Sequence, residues 1–330
     1  MRIEFFDVLI TVFSLIILII PGYLLVKIKM LPAKAGGVFS TLVLYVCQPM
    51  LVFMGFQKEP YSAEIGMNML IVAGIAILIH TVVFALIYLL VRNKTQVEKM
   101  RCVRFASCFS NCGYMGIPFL EMLFTGSLQG TVIIYASVVI SIFNILSWTV
   151  GVYMITGDKK SISIKKVLFN PVILSVVLGF LLFVILKQPI AVVADHIPQL
   201  DRIFEGFMSS FTYLSNMVTP LAMTVIGIRL ANVNLKKLFL DKWAYFVCAF
   251  KLIIMSLVSI LAVAFLPIDN LVKYVIFFTL SMPSATATTL FTEQFGGDSE
   301  SASVYVLLST VMSILIIPLM YMVFQAIAGV

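Results

Sequence analysis

The amino-acid sequence predicts an all-α polytopic membrane protein. Ten transmembrane helices are expected as two inverted five-helix repeats, with helices four and nine broken. Three observations carry this prediction. First, 62% of the 330 residues are hydrophobic and only 11% are charged, with a mean hydropathy of +1.11. A soluble domain carries roughly 25% charged residues, so this chain lacks the polar surface to face water all round. Second, apolar stretches of about 20 residues, the length that crosses a bilayer, recur ten times. Third, glycine- and proline-bearing interruptions fall at corresponding places in the two halves. The composition excludes a soluble enzyme, a secreted disulfide scaffold and a nucleic-acid-binding module. The net charge of +7 is then positive charge held in cytoplasmic loops.

In order, the spans are expected at 6–28, 36–56, 66–91, 104–124, 130–154, 167–187, 204–229, 243–266, 272–293 and 302–327. The first is read as a span and not a signal peptide. Glu4 and Asp7 spoil a basic leader, and the run from Val8 to Val26 exceeds a signal core. The uncharged run from Met122 to Gly157 is too long for one span, and Thr125-Gly126-Ser127-Leu128-Gln129-Gly130 divides it as a turn. Gly296-Gly297-Asp298-Ser299-Glu300 divides spans nine and ten.

Loop charges orient the spans. Lys27, Lys29, Lys34, Arg92, Lys94, Lys99, Arg101, Arg104, Lys159, Lys160, Lys165, Lys166, Arg229, Lys236, Lys237 and Lys242 fall on one side. Only Arg2, Lys58, Lys187, Arg202 and Lys273 fall on the other. Basic residues favour cytoplasmic loops, so both termini are expected outside a multi-pass protein of the cell (plasma or inner) membrane. The loop 294–301 carries no basic residue and breaks the trend.

Five spans per half place the halves in opposite orientation. Gly22-Tyr-Leu-Leu and Gly179-Phe-Leu-Leu are each followed by a proline ten residues after the glycine, Pro32 and Pro189. Gln48-Pro49-Met50-Leu51 with Gly55 resembles Thr219-Pro220-Leu221-Ala222 with Gly227. The second offset is larger, and the segment 191–204 fits the extra length as an outer, partly amphipathic piece. Phe124-Thr-Gly126 likewise falls onto Phe295-Gly-Gly297. Expected boundaries are 1–157 for the first repeat, 158–166 for a cytoplasmic linker and 167–330 for the second repeat. Inverted repeats that alternate access around a midplane site characterise secondary transporters.

Span four reads Phe109-Ser110-Asn111-Cys112-Gly113-Tyr114-Met115-Gly116-Ile117-Pro118, and span nine reads Ser281-Met282-Pro283-Ser284-Ala285-Thr286-Ala287-Thr288-Thr289. Proline removes an amide donor and obstructs a carbonyl one turn earlier, and glycine permits non-helical backbone. Unpaired backbone cannot face lipid, so both segments are expected to line protein or a wet cavity. Half-helix N-termini there would offer amides to an anion. A plain proline kink is the alternative for either span alone.

Two ionisable side chains sit deep. Lys251 is about 12 Å, and His80 about 16 Å, from the cytoplasmic ends of spans eight and three, at 1.5 Å per residue. Such groups are functional candidates. Lys251 would supply positive charge, or serve as a structural cation on backbone carbonyls. His80 would couple protons, or be a packed neutral histidine. Asn111 and Asn144 are the uncharged candidates for substrate contact, with Asn216 and Gln48 also deep; Asn144 could instead hydrogen-bond a neighbouring helix. Glu121 and Glu293 end spans four and nine, and no carboxylate is expected at mid-membrane. The cysteines (Cys47, Cys102, Cys108, Cys112 and Cys248) show no metal-ligand spacing and read as small packing residues. Neither a cofactor nor a metal is expected. An enzyme is not expected either, because the spans hold no Asp pair and the chain no Gly-x-Ser-x-Gly motif.

The stretch from Phe109 to Leu120 resembles the fourth-span signature of the auxin efflux carrier family of membrane transporters. Ile142-Phe-Asn-Ile-Leu-Ser-Trp-Thr-Val-Gly151, Asn170-Pro171, Thr219-Pro-Leu-Ala with Gly227, Met282-Pro-Ser-Ala, Glu293-Gln-Phe-Gly-Gly-Asp298 and Val306-Leu-Leu-Ser-Thr310 agree. The resemblance implies a scaffold of spans one, two, six and seven that also forms a homodimer. It implies a moving transport domain of spans three to five and eight to ten, in which broken spans four and nine cross at Pro118 and Pro283. Family substrates are organic anions, indole-3-acetate in plants and dicarboxylates among bacterial relatives. The family's anion-binding asparagine maps onto Asn111. The loop at 157–166 is short, unlike that of many plant carriers, and suits a prokaryotic member.

The expected activity is therefore alternating-access, elevator-like movement of small carboxylates. Substrate contacts are expected from Asn111, Gly113, Tyr114, Met115, Gly116, Pro118, Asn144, Pro283, Ser284, Ala285, Thr286 and Lys251. A sodium-coupled symporter like the bile-acid transporters, or an anion channel, would be the alternatives. The expected partners are the substrate, the lipid bilayer and a second copy, not nucleic acid.

Overall fold

A computed structural model describes residues 3–32, 34–92, 96–194, 198–233 and 240–329. Four charges used for orientation (Arg2, Lys94, Lys236 and Lys237) lie outside them. The protein is all-α. Among the described residues eight helices are long and apolar enough to cross a membrane: Phe5–Lys27, Ala35–Phe56, Ala63–Leu90, Leu128–Thr156, Lys159–Leu186, Arg202–Ala231, Lys242–Ala264 and Ser299–Ala328. They correspond to the expected spans one, two, three, five, six, seven, eight and ten. The other two apolar stretches are not continuous helices. The fourth is split into Val97–Cys108 and a second piece running from Cys112 to Leu123, and the ninth into Asn270–Ser281 and Ala287–Phe295.

Local chemistry explains where helices start. Asn170 accepts from the amides of Val172 and Ile173, with Pro171 in the first turn, where its missing N–H costs nothing. Asp269, Asp298 and Ser62 cap Asn270–Ser281, Ser299–Ala328 and Ala63–Leu90 in the same way. The segment 191–204 is the one expected as an outer, partly amphipathic piece. Its described part belongs to a short helix, Ile190–Ala194, and to the start of Pro198–Asn216, which leads into the seventh span. Residues 195–197 lie outside the described set. The first, sixth and seventh spans are interrupted at Leu18–Ile19, Phe169–Asn170 and Met217, and four others carry a local irregularity. The second has a π turn at Val43–Cys47, the fifth at Ser147–Gly151 and the eighth at Phe250–Ile254, and the tenth contains Pro318.

Packing brings spans one and seven into backbone contact. A Cβ at Gly22 would lie 2.1 Å from the Thr224 carbonyl oxygen, and one at Gly227 would lie 2.1 Å from that of Ile19. Glycine is the residue that permits this approach. The sixth span packs on the second, with Gly179 against the Phe56 ring. The first span also meets the tenth, as the sixth meets the fifth. Span six turns Leu174, Val177, Leu178, Leu181 and Ile185 outward, the face a bilayer would cover.

Candidate functional site

The two breaks lie against each other. Phe109 and Met282 leave their helices in extended backbone, with φ/ψ of −103°/121° and −59°/153°. Ser110 and Ser284 then form an antiparallel bridge. The Asn111 amide donates to the Pro283 carbonyl at 2.8 Å, and the Ala285 amide donates to the Phe109 carbonyl at 2.9 Å. Each serine also caps the other broken helix: Ser110 Oγ donates to Leu280 O at 2.9 Å and Ser284 Oγ to Ala106 O at 2.8 Å. The crossing thereby satisfies backbone that could not be left unpaired in a bilayer. This narrows one expectation. The break amides of Asn111, Ser284 and Ala285 are not free for a ligand, because Pro283 O, Ser309 Oγ and Phe109 O take them.

What the crossing leaves unpaired is a side chain. Thr286 Oγ1 donates to Asn111 Oδ1 at 3.5 Å, which turns the Asn111 NH2 group the other way. Asn111 Nδ2 is buried and has no hydrogen-bond partner. Leaving a buried donor unmade costs about 1–3 kcal/mol, so the fold retains a strained group that an acceptor would relieve.

Asn111 lines a cavity of about 820 Å³. Gly113, Tyr114, Asn144, Ala285 and Thr286 line it with Asn111, as their positions predict. Tyr114 Oη donates to Ser40 O at 3.2 Å and is held against the second span. The cavity also includes Gln48, Asn170, Trp148, Glu293, Lys165 and Lys166, which the substrate assignment missed. Asn170 Nδ2 donates to Asn144 Oδ1 at 3.3 Å, joining the sixth span to the fifth. Lys165 and Lys166 are exposed at one end, and Lys166 Nζ lies 5.2 Å from the Trp148 ring centroid and 5.5 Å from that of Phe295.

The other predicted residues lie at or behind the crossing and do not line the cavity. Met115, Gly116, Pro118, Pro283 and Ser284 are buried. A Cβ at Gly116 would meet Met282 Cγ at 3.5 Å, so Gly116 sits at the contact between the two broken spans. Lys251 is fully buried, and its Nζ donates to Leu280 O at 2.6 Å, with Met255 Sδ at 2.9 Å. It places a cation at the carbonyl end of Asn270–Ser281, where the helix dipole is negative. His80 has Nδ1 at 2.7 Å from Ala76 O, and its ring packs on Phe84 and Phe109. Its Nε2 is buried and unpartnered. Among the described residues no three of His, Cys, Asp and Glu come together to hold a metal, and the one ion pair is Lys99–Asp241 at 2.8 Å.

The sequence profile of the membrane transport protein family matches residues 7–321. The chain belongs to that family. Membership makes it a polytopic membrane transporter, and the eight long apolar helices agree with it. Two curated members of similar length align with nearly the whole chain. An uncharacterized transporter of Methanocaldococcus jannaschii is 25% identical over 313 residues, covering 93% of this chain and 96% of the relative. A putative malonate transporter of Rhizobium meliloti is 25% identical over 309 residues, covering 90% and 89%.

Proposed function

We propose that this protein is a secondary transporter of small organic anions, carboxylates above all, and that the anion is held at the crossing by Asn111. The observation that carries the reading is the buried, unpartnered NH2 group of Asn111, a residue that lines the cavity. A carboxylate oxygen is the acceptor that such a donor lacks, and a hydrogen bond to a charged partner contributes more than one to a neutral partner. The name of the Rhizobium meliloti relative, a putative malonate transporter, suits a carboxylate.

The movement proposed is alternating access. Spans three to five and eight to ten form one body, and spans one, two, six and seven form the other. The reciprocal packing of span one on seven and of two on six supports the inverted repeat. So does the reciprocal capping of the broken helices. Lys251 adds positive charge near the crossing, and among the described residues no carboxylate pairs with it. In the cell membrane the basic loops face the cytoplasm and the termini face out. The scaffold is proposed to pair with a second copy.

A thermal-shift screen of the purified protein against mono- and dicarboxylates tests this reading. At least one carboxylate is expected to raise the melting temperature, and Asn111→Ala to abolish the shift. An undiminished shift in Asn111→Ala would remove Asn111 from the site. Uptake that persists in sodium-free buffer separates this carrier from a sodium-coupled symporter.

A further inference from the structure

Gln48 lines the cavity together with Asn111. It follows the π turn Val43–Cys47, where the second span changes register, and it opens the α-helix Gln48–Phe56 with Pro49 behind it. A π turn shifts the face of every later side chain, and such turns concentrate at functional sites. Gln48 is 2% exposed, so nearly all of it is inside the protein. It lines the same cavity as Asn111. A polar amide at this depth is costly unless something accepts from it.

Gln48 also reaches the broken span. A Cβ at Gly113 would lie 2.6 Å from Gln48 Nε2. The absent side chain at Gly113 is therefore what lets the Gln48 amide lie against the backbone two residues beyond Asn111. Two amide-bearing residues, one from the second span and one from the break, thus line one cavity. Each offers a donor and neither brings a charge.

We propose that Gln48 is a selectivity residue, whose amide shares one carboxylate of the substrate with the Asn111 NH2 group. The proposal rests on the organic-anion reading above and goes beyond it by naming the second donor. A carboxylate has two oxygens in one plane, each able to accept. One oxygen meets Asn111 and the other meets Gln48. An uncharged amide or ester analogue satisfies the pair less well, so the two donors select the ionised acid. Because Gln48 belongs to the second span and Asn111 to the fourth, the bound anion also ties the two spans together, and its release parts them.

The test is binding to the purified full-length protein, read by thermal shift, with acetate, malonate and benzoate as probes and malonamide as the uncharged analogue. Wild type should respond to at least one acid and not to malonamide. Gln48→Met keeps the length and removes the donor; it should bind the responding acid roughly tenfold or more weakly, the loss expected for one hydrogen bond to a charged group. Gln48→Glu should bind none, since two carboxylates would face each other. If Gln48→Met does not fold, Gln48→Asn is read instead, and weakened affinity is expected because the amide falls one methylene short. A merely structural Gln48 would change the melting temperature without ligand but leave the affinity as it was. Affinity within twofold of wild type in the folded variant, with binding lost in Asn111→Ala, overturns the role of Gln48 and leaves the anion reading standing. No response of wild type to any of the three acids overturns both.

Discussion

Replacing Lys251 by Met sets two opposed effects against each other. The ammonium is fully buried and donates to Leu280 O at 2.6 Å, with Met255 Sδ at 2.9 Å. Hydrogen bonds to a charged group contribute about 1.5–3 kcal/mol. Against this stands the burial of a charge that no carboxylate offsets, which costs several kcal/mol even after relaxation. The carbonyl does not lose its last donor, because Ser110 Oγ remains on Leu280 O at 2.9 Å. Methionine is also nearly as long as lysine and packs without a polar end. Burial therefore outweighs the lost bonds, and Lys251→Met should be more stable than wild type by roughly 1–3 kcal/mol. The melting temperature should rise by about 2–4 °C, as scaled for a large domain. Transport of carboxylate into proteoliposomes should fall at least tenfold, because the positive charge near the crossing is gone. A melting temperature several degrees below wild type would refute the reasoning: the ammonium would then be a net stabiliser of the break.

Other expectations follow from the packing. Gly227→Ala places a methyl 2.1 Å from the Ile19 carbonyl and should destabilise by roughly 3 kcal/mol or prevent folding, whereas Gly74→Ala, with nothing within 4 Å, should stabilise the third span by up to about 1 kcal/mol. Chemical denaturation of both variants checks the contrast. Asn170→Ala loses the cap of Pro171–Leu186 and the bond to Asn144, and a thermal-denaturation loss of about 1–2 kcal/mol is expected. Glu59, in the loop between spans two and three, has its carboxyl pushed above the usual range by burial, against opposing hydrogen bonds from Thr131. The folded state thus disfavours its ionised form, so stability falls as pH rises through the carboxylate range. Glu59→Gln should reduce that fall and leave the acidic end unchanged, as a melting-temperature profile against pH would show.

Much of the architecture was legible in the sequence because bilayer length and proline placement are one-dimensional signals. The ten apolar stretches correspond to eight long helices and two broken ones, and the breaks fall at Phe109–Asn111 and Met282–Thr286, where the prolines, glycines and small polar residues cluster. The partner of each break was not legible. Nothing local says that Asn111 N will meet Pro283 O across some 170 residues, or that Ser284 N and Ala285 N will be taken by Ser309 Oγ and Phe109 O. Depth was legible for His80 and Lys251, but which way each side chain turns was not, and both pack away from the cavity. Gln48 was visible as a deep polar residue. Its place in the site depends on the π turn at Val43–Cys47, a run of aliphatic and aromatic residues with no signature of a register change.

Counterflow most directly tests the claim that a carrier holds a carboxylate at the crossing through Asn111. Proteoliposomes preloaded with an unlabelled acid that binds the protein are given the same acid labelled outside. The account predicts uptake accelerated by the internal acid in wild type, and no acceleration in Asn111→Asp, whose carboxylate would repel the substrate. Equal acceleration in both proteins, or flux in wild type that ignores the internal acid, would contradict it.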